Sequence, residues 1–105
     1  MKIMISQPMR GKTNEEIRKE REELVKKLTS KGHQVIDTII DNFIDGEGDD
    51  YAIKCLAKSI EHIADVDAVV FMPGWEQARG CRVEYVVARD YGKFISDMGD
   101  VVDEK

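Results

Sequence analysis

The sequence predicts an α/β protein in which helices cover both faces of a mostly parallel sheet of four to five strands. Short apolar runs alternate with segments of helical period in the order β-α-β-α-β-α-β. Alternation of this kind is typical of parallel strands joined by right-handed crossovers through helices. The chain has 105 residues, of which 42% are hydrophobic, and this supports one core. We therefore expect a single domain over residues 1–105.

The first strand and the first helix have clear boundaries. Lys2–Ser6 is a short apolar run that suits a buried strand. Thr13 opens a capping box with Glu16, which predicts a helix beginning there, and Gly32 supplies the left-handed residue that ends it. The charged run over residues 15–27 is expected to face solvent. The apolar face of this helix is formed by Ile17, Leu24, Val25 and Leu28.

The middle of the chain contains a second strand, a loop and a second helix. Residues 34–38 form the strand. Residues 39–49 are an acidic loop, which is either a lid over a site or an excursion without regular structure. Residues 50–65 have helical period. We expect the core-facing side of this helix to be formed by Ile53, Leu56, Ala57, Ile60 and Ile63.

The last part of the chain contains the most apolar strand, over residues 67–72. A third helix follows over residues 81–91, and Gly92 ends it. A short fourth strand covers residues 93–96. The sequence leaves open whether the acidic tail, residues 97–105, frays, docks on a partner or adds a strand.

The leading arrangement of these elements is the flavodoxin-like (Rossmann-like) strand order 2-1-3-4. In that order the helices after strands 1 and 3 leave on opposite faces, and a crevice opens at the carboxyl ends of these two strands. The loops after strands 1 and 3 are therefore expected to form one ligand site. Its candidate residues are Ser6, Pro8, Met9, Arg10, Gly11, Trp75, Arg79, Gly80 and Glu84.

Glu84 is the candidate catalytic group of this site. It falls near the start of the third helix, where amide dipoles favour its ionised form, and an oriented carboxylate can attack the anomeric carbon of a sugar. The alternative is a glutamate that only stabilises its helix. Arg10 and Arg79 either grip a phosphate or are exposed solubility residues. Three roles are open for Trp75: its ring stacks on a base of the ligand, covers the end of the sheet or lies in a contact between subunits.

Composition and spacing argue against several classes of function. The formal charge of −5 disfavours a nucleic-acid polymer as partner, because binding one needs a basic face. No apolar run is long enough for a membrane span, and no secretory signal precedes the first strand, so we expect a cytoplasmic protein. Cys55 and Cys81 lack the spacing of a metal or redox pair. Neither a metal nor a cofactor is therefore expected.

Two segments resemble a known superfamily. They are Ile-Ser-x-Pro-Met-Arg-Gly at residues 5–11 and Pro-Gly-Trp-Glu-x-x-Arg-Gly-Cys-Arg-Val-Glu-Tyr at residues 73–85. Both resemble the nucleoside 2-deoxyribosyltransferase-like superfamily, and the nearest branch is a small bacterial and phage-associated family of unassigned function. The resemblance runs from about Lys2 to Ile95 and thus covers nearly the whole chain.

The resemblance implies an enzyme that breaks the N-glycosidic bond of a nucleoside or a nucleoside 5′-monophosphate. In such enzymes the glutamate matching Glu84 attacks C1′ and the base leaves. Water or a second base then resolves the glycosyl-enzyme, in a hydrolase or a transferase respectively. The loop matching residues 6–11 borders the sugar and phosphate, and the loop with Arg79 and Gly80 meets the phosphate or 5′ end. Such enzymes form homodimers or larger homo-oligomers, and we expect the same here.

Three positions depart from the pattern of the resembled family. Ser59 stands where those enzymes carry an aspartate that orients the sugar and handles the leaving base, and Asp65 and Asp37 are the alternative candidates for that role. Ala78 replaces a phosphate-contacting serine, and Gln7 replaces a loop glycine. The departures at Ser59 and Ala78 favour a second hypothesis, a non-catalytic module that binds a nucleotide or an ADP-ribose-like ligand in the same crevice.

Overall fold

The computed structural model describes residues 1–9, 11–36 and 48–97. The expectations for Arg10, for Asp37, for the loop up to residue 47 and for residues 98–105 of the tail lie outside these described residues. Within the described residues lie four β-strands, three α-helices and a short 3₁₀ helix.

A parallel sheet forms the centre of the molecule. Its strands are β1 (Lys2–Ser6), β2 (Gln34–Ile36), β3 (Ala68–Phe71) and β4 (Phe94–Asp97). They lie in the order β2-β1-β3-β4, and every neighbouring pair is parallel. The predicted strand order and the α/β class are thereby confirmed. In the register of β1 with β3, Ser6 lies opposite Phe71, so the two central strands end side by side.

Three α-helices connect the strands: α1 (Asn14–Ser30), α2 (Gly48–Ile63) and α3 (Arg79–Asp90). The capping box at the start of α1 is confirmed, since the hydroxyl of Thr13 accepts from the amide of Glu16 at 3.1 Å and the carboxylate of Glu16 accepts from the amide of Thr13 at 3.2 Å. Helices α2 and α3 each begin two residues earlier than predicted. For α3 the reason is that the carbonyl of Ala78 already accepts the first helical bond, from Arg82 at 3.0 Å.

The helices divide between the two faces of the sheet, which gives three layers. Helix α1 covers one face, where Leu24 and Leu28 pack against alternate residues of β1 and β3. Helices α2 and α3 cover the other face through Ile63 and Ala88, which pack against the intervening strand residues. Because α1 and α3 leave the adjacent strands β1 and β3 on opposite faces, a crevice opens between their starting points.

The inward face of α2 differs from the predicted one. Ile53 is 62% exposed and Ala57 is exposed, whereas Cys55 and Ser59 are buried. The buried stripe therefore follows small side chains at a spacing of four residues and ends at Ile63. Small residues allow α2 to approach α3 closely, and a count of apolar residues alone does not detect such a stripe.

Candidate active site

A cavity of about 510 Å³ lies at the carboxyl ends of β1 and β3. Its volume falls within the range of roughly 300–1,000 Å³ that is usual for small-molecule sites. The loops after both strands and the helices α1, α2 and α3 all contribute to its wall. Six of the nine candidate residues from the region of these two loops line it: Ser6, Pro8, Met9, Arg79, Gly80 and Glu84.

Glu84 is held inside this cavity by contacts from β1 and α2. Only 7% of the residue is exposed. Its Oε1 accepts a hydrogen bond of 2.6 Å from the hydroxyl of Ser6, the last residue of β1. Ser59, on the buried face of α2, also hydrogen-bonds this carboxyl group. Because three separate elements meet at one carboxyl group, its orientation depends on the packing of the whole fold.

Burial controls the protonation of Glu84. Removal of the carboxylate from water raises the pKa of Glu84 above its ordinary value, since burial disfavours the charged form. The hydrogen bonds from Ser6 and Ser59 and the charge of Arg21 act in the opposite direction and lower the pKa. The ionised form of Glu84 therefore has a cost in the folded protein that it does not have in the unfolded chain.

Replacement of Glu84 by glutamine tests this cost through the pH dependence of stability. A carboxyl whose folded-state pKa is raised stabilises the fold below its unfolded-state pKa and loses that contribution as pH rises through the folded-state value. We expect Glu84→Gln to be more stable than the wild type at pH 7, because glutamine does not carry the buried charge that ionised Glu84 carries there. The difference should disappear towards acid pH. Urea denaturation of both proteins, from acid pH to pH 7, measures the difference in their free energies of unfolding. A difference that does not change with pH would contradict the expectation.

Cys81 lies one helical turn before Glu84 and lines the same cavity. Burial raises the pKa of the Cys81 thiol to about 11, although a hydrogen bond with Ser6 lowers it, and the charge of Glu84 raises it further. The thiol is therefore neutral at pH 7 and is not a nucleophile there, because only the thiolate attacks. Its neighbour Glu84 is the better candidate for a nucleophile in this cavity.

Arg21 is a residue of this site that the sequence analysis did not identify. It was assigned to the solvent-facing charges of the first helix, but it is only 5% exposed and lines the cavity. The signal was present in the spacing, since Arg21 lies four residues after Ile17 and three before Leu24, on the apolar stripe of α1. Gln7, noted only as a departure from the loop pattern, is also buried in the cavity wall and contacts Arg21.

Several predicted residues lie elsewhere. Trp75 does not line the cavity; its ring stacks on Tyr85 at a centroid distance of 4.6 Å and belongs to the aromatic packing beside Phe71. Asp65 is exposed and precedes β3, so it lies at the amino ends of the strands, whereas the cavity lies at their carboxyl ends. Gly11 does not line the cavity and is exposed, with a φ of 79° in the turn before α1.

The departures at Ser59 and Ala78 are both located in the cavity wall.

Within residues 1–9, 11–36 and 48–97, no cluster of three metal-ligating side chains is present. None of the helices described there is both long and apolar enough to span a membrane.

Comparison with known proteins finds a similar fold among solved structures and a matching family model. The fold is similar to that of the CMP N-glycosidase BcmB of Clostridium botulinum, with a TM-score of 0.56 and 21% sequence identity, over 92% of this chain and 67% of that one. This likeness shows a shared fold. No curated protein sequence matches the chain. A model of a domain of unknown function, DUF4406, matches residues 1–97, and the chain belongs to that family.

Proposed function

We propose that this protein cleaves the N-glycosidic bond of a nucleoside or a nucleoside 5′-monophosphate, as a hydrolase or a deoxyribosyltransferase-like enzyme. The observation that carries the proposal is the position of Glu84: its carboxyl group is buried in the cavity at the ends of β1 and β3 and is oriented by Ser6. The motifs at residues 5–11 and 73–85 support membership of the nucleoside 2-deoxyribosyltransferase-like superfamily. The fold shared with a CMP N-glycosidase agrees with it.

The proposed reaction has two steps. A carboxylate oxygen of Glu84 attacks C1′ of the sugar, the C1′–N bond breaks with its electron pair moving to the base, and a glycosyl ester forms. Water or a second base then attacks C1′, the ester bond breaks and the carboxylate is restored. Water yields the free sugar, or the sugar 5′-phosphate from a monophosphate, and one proton that the departed base can take up. A second base yields a new nucleoside or monophosphate and releases its ring proton. The hydroxyl of Ser6 keeps the attacking carboxyl aligned throughout.

The rest of the cavity wall is assigned to substrate binding. Arg79 is exposed at the cavity wall and is proposed to meet the phosphate or the 5′ end of the substrate. Gly80 lines the cavity at the start of α3 and is proposed to let the backbone there approach the ligand. Pro8 and Met9 border the sugar. Ser59 occupies the position of the missing acid, so the leaving base must take its proton from elsewhere.

The second candidate function is a non-catalytic binding module for a nucleotide or an ADP-ribose-like ligand. Two observations favour it. Ser59 and Ala78 supply neither the acid nor the phosphate-contacting hydroxyl of the resembled enzymes. In addition, burial raises the pKa of Glu84, which reduces the fraction of the ionised nucleophile at a given pH.

Incubation with CMP, other ribonucleotide and deoxyribonucleotide 5′-monophosphates and the corresponding nucleosides separates the two functions. The enzyme is supported if chromatography detects free base with the wild type and not with Glu84→Gln. Ligand-dependent thermal stabilisation without any release of base supports the binding module. Neither base release nor stabilisation with any compound would reject both. Glu76→Gln, an exposed carboxylate in the same loop region, is the matched control and should behave as the wild type.

The proposal includes a cytoplasmic homodimer or larger homo-oligomer built from one domain per chain. Sedimentation equilibrium measures the subunit number, and a monomer at micromolar concentration would contradict this part alone.

A further inference from the structure

Two opposite charges reach the end of β1 from opposite faces of the sheet. Arg21, on α1, donates from Nη2 to the carbonyl of Ile5 at 3.4 Å. Glu84, on α3, accepts from the hydroxyl of the next residue, Ser6, at 2.6 Å. Both side chains are more than nine-tenths buried and both line the cavity. The guanidinium and the carboxylate are thus anchored to consecutive residues of the same strand.

Gln7 holds the guanidinium in this position. Its Oε1 accepts from Nε of Arg21 at 3.2 Å, while its Nε2 donates to the carbonyl of Ile17 at 2.9 Å and to the carboxylate of Glu20 at 3.2 Å. Glu20 is itself paired with Lys12 at 2.9 Å. The amide of Gln7 therefore connects the loop after β1 to helix α1. This chain of contacts places a positive charge at the cavity that cannot move away without breaking several hydrogen bonds.

We propose that Arg21 is a positioning residue that keeps the carboxyl group of Glu84 ionised and inside the cavity, and that Gln7 holds Arg21 in place for this role. The inference rests on the proposed function, in which Glu84 must be an anion to attack C1′. A buried carboxylate loses its hydration, and a fixed opposite charge in the same low-dielectric space recovers part of that loss.

No other described charged group at the cavity provides the same effect. Cys81, on α3, is neutral at pH 7 because of its raised pKa. Arg79, at the start of α3, is exposed, so solvent and salt screen its charge. The loop after β1 and helix α2 contribute the hydrogen-bonding but non-titrating side chains of Ser6 and Ser59. Arg21 is the buried cation of this part of the structure.

Carbon-13 NMR of the side-chain carboxyl of Glu84, assigned through its loss in Glu84→Gln, tests the proposal without a substrate. We expect Arg21→Gln to raise the midpoint of the Glu84 titration, since the charge of Arg21 lowers the pKa of this buried carboxyl group and the variant removes that charge. Arg21→Lys, which retains the charge, should recover at least half of that shift. Arg18→Gln removes the same charge from the exposed side of α1 and should leave the midpoint unchanged.

A second variant keeps the test decisive if Arg21→Gln does not fold. Gln7→Met removes the anchor of the guanidinium but keeps both charges, and should raise the midpoint by a smaller amount. An unchanged midpoint in the folded variants would overturn the proposal, whatever the activity. If the wild type releases base, the acid limb of its pH–rate profile should move with the midpoint. Absence of base release together with a shifted midpoint would reject the proposed reaction but keep the role of Arg21.

Discussion

Glu84→Gln is expected to lower the rate of base release by roughly 10³-fold or more, because the amide cannot form the glycosyl ester on which the reaction depends. Glutamine has nearly the same shape as glutamate, and its amide oxygen can still accept from the hydroxyl of Ser6. Binding should therefore be largely kept. Single-turnover measurement of free base, with the Kd of the same monophosphate measured by calorimetry, separates the chemical step from binding.

The matched control for this loss is Glu76→Gln. Glu76 is an exposed carboxylate of the short 3₁₀ helix at Trp75–Gln77, and it does not line the cavity. Its replacement should change kcat less than about twofold, since it removes an exposed charge that does not contact the reacting atoms. A Glu84→Gln variant that retains more than a tenth of the wild-type kcat would show that Glu84 is not the nucleophile.

Phe71→Ala is expected to lower the free energy of unfolding by about 3–5 kcal/mol, the usual cost of deleting a buried aromatic side chain. Phe71 is fully buried at the end of β3, and its ring lies 5.2 Å from that of Trp75 and 5.5 Å from that of Tyr85. The total free energy of unfolding of a natural domain is only about 5–15 kcal/mol. Urea denaturation followed by circular dichroism measures the loss.

This aromatic cluster also connects stability to the site. Tyr85 follows Glu84 directly on α3, so the packing of Phe71 and Trp75 against Tyr85 fixes the rotation of the helix that carries the carboxylate. Tyr91→Ala is the control, because Tyr91 is 78% exposed and its loss should change stability by less than about 0.5 kcal/mol. A cost below 1 kcal/mol for Phe71→Ala would show that the cluster does not anchor α3.

The strands and the start of α1 could be predicted because each depends on a short stretch of chain. The order of the strands in the sheet could be predicted from the rules for connections between them. The apolar run at Lys2–Ser6 and the capping box at Thr13 are local signals, and the crossover rule then leaves few topologies. The predicted strand order also placed the loops after β1 and β3 at one site, and in the structure both loops line the same cavity. The inward face of α2 could not be predicted in this way, because the burial of Cys55 and Ser59 depends on how α2 packs against the rest of the fold.

Trp75 and Arg21 show why residue types near a site are a weaker guide than the strand order. A tryptophan beside a ligand loop suggests base stacking, a cap on the end of the sheet or a subunit contact. In the structure its half-buried ring packs against Phe71 and Tyr85, beside the core and outside the cavity wall. An arginine in a highly charged helix suggests a solvent-exposed residue. The wall formed by Gln7 and the end of β1 buries it.

The sequence by itself determined the parallel α/β sheet and the candidacy of Glu84 at the start of the third helix, since both follow from local periodicity and connection rules. Only the tertiary structure decided that this carboxyl group is buried, that Ser6 and Ser59 hydrogen-bond it, and that Arg21 supplies the buried opposite charge. The physical reason is that burial and electrostatic pairing depend on contacts between residues far apart in the chain, such as the 78 positions that separate Ser6 from Glu84. No pattern within a single element contains that information.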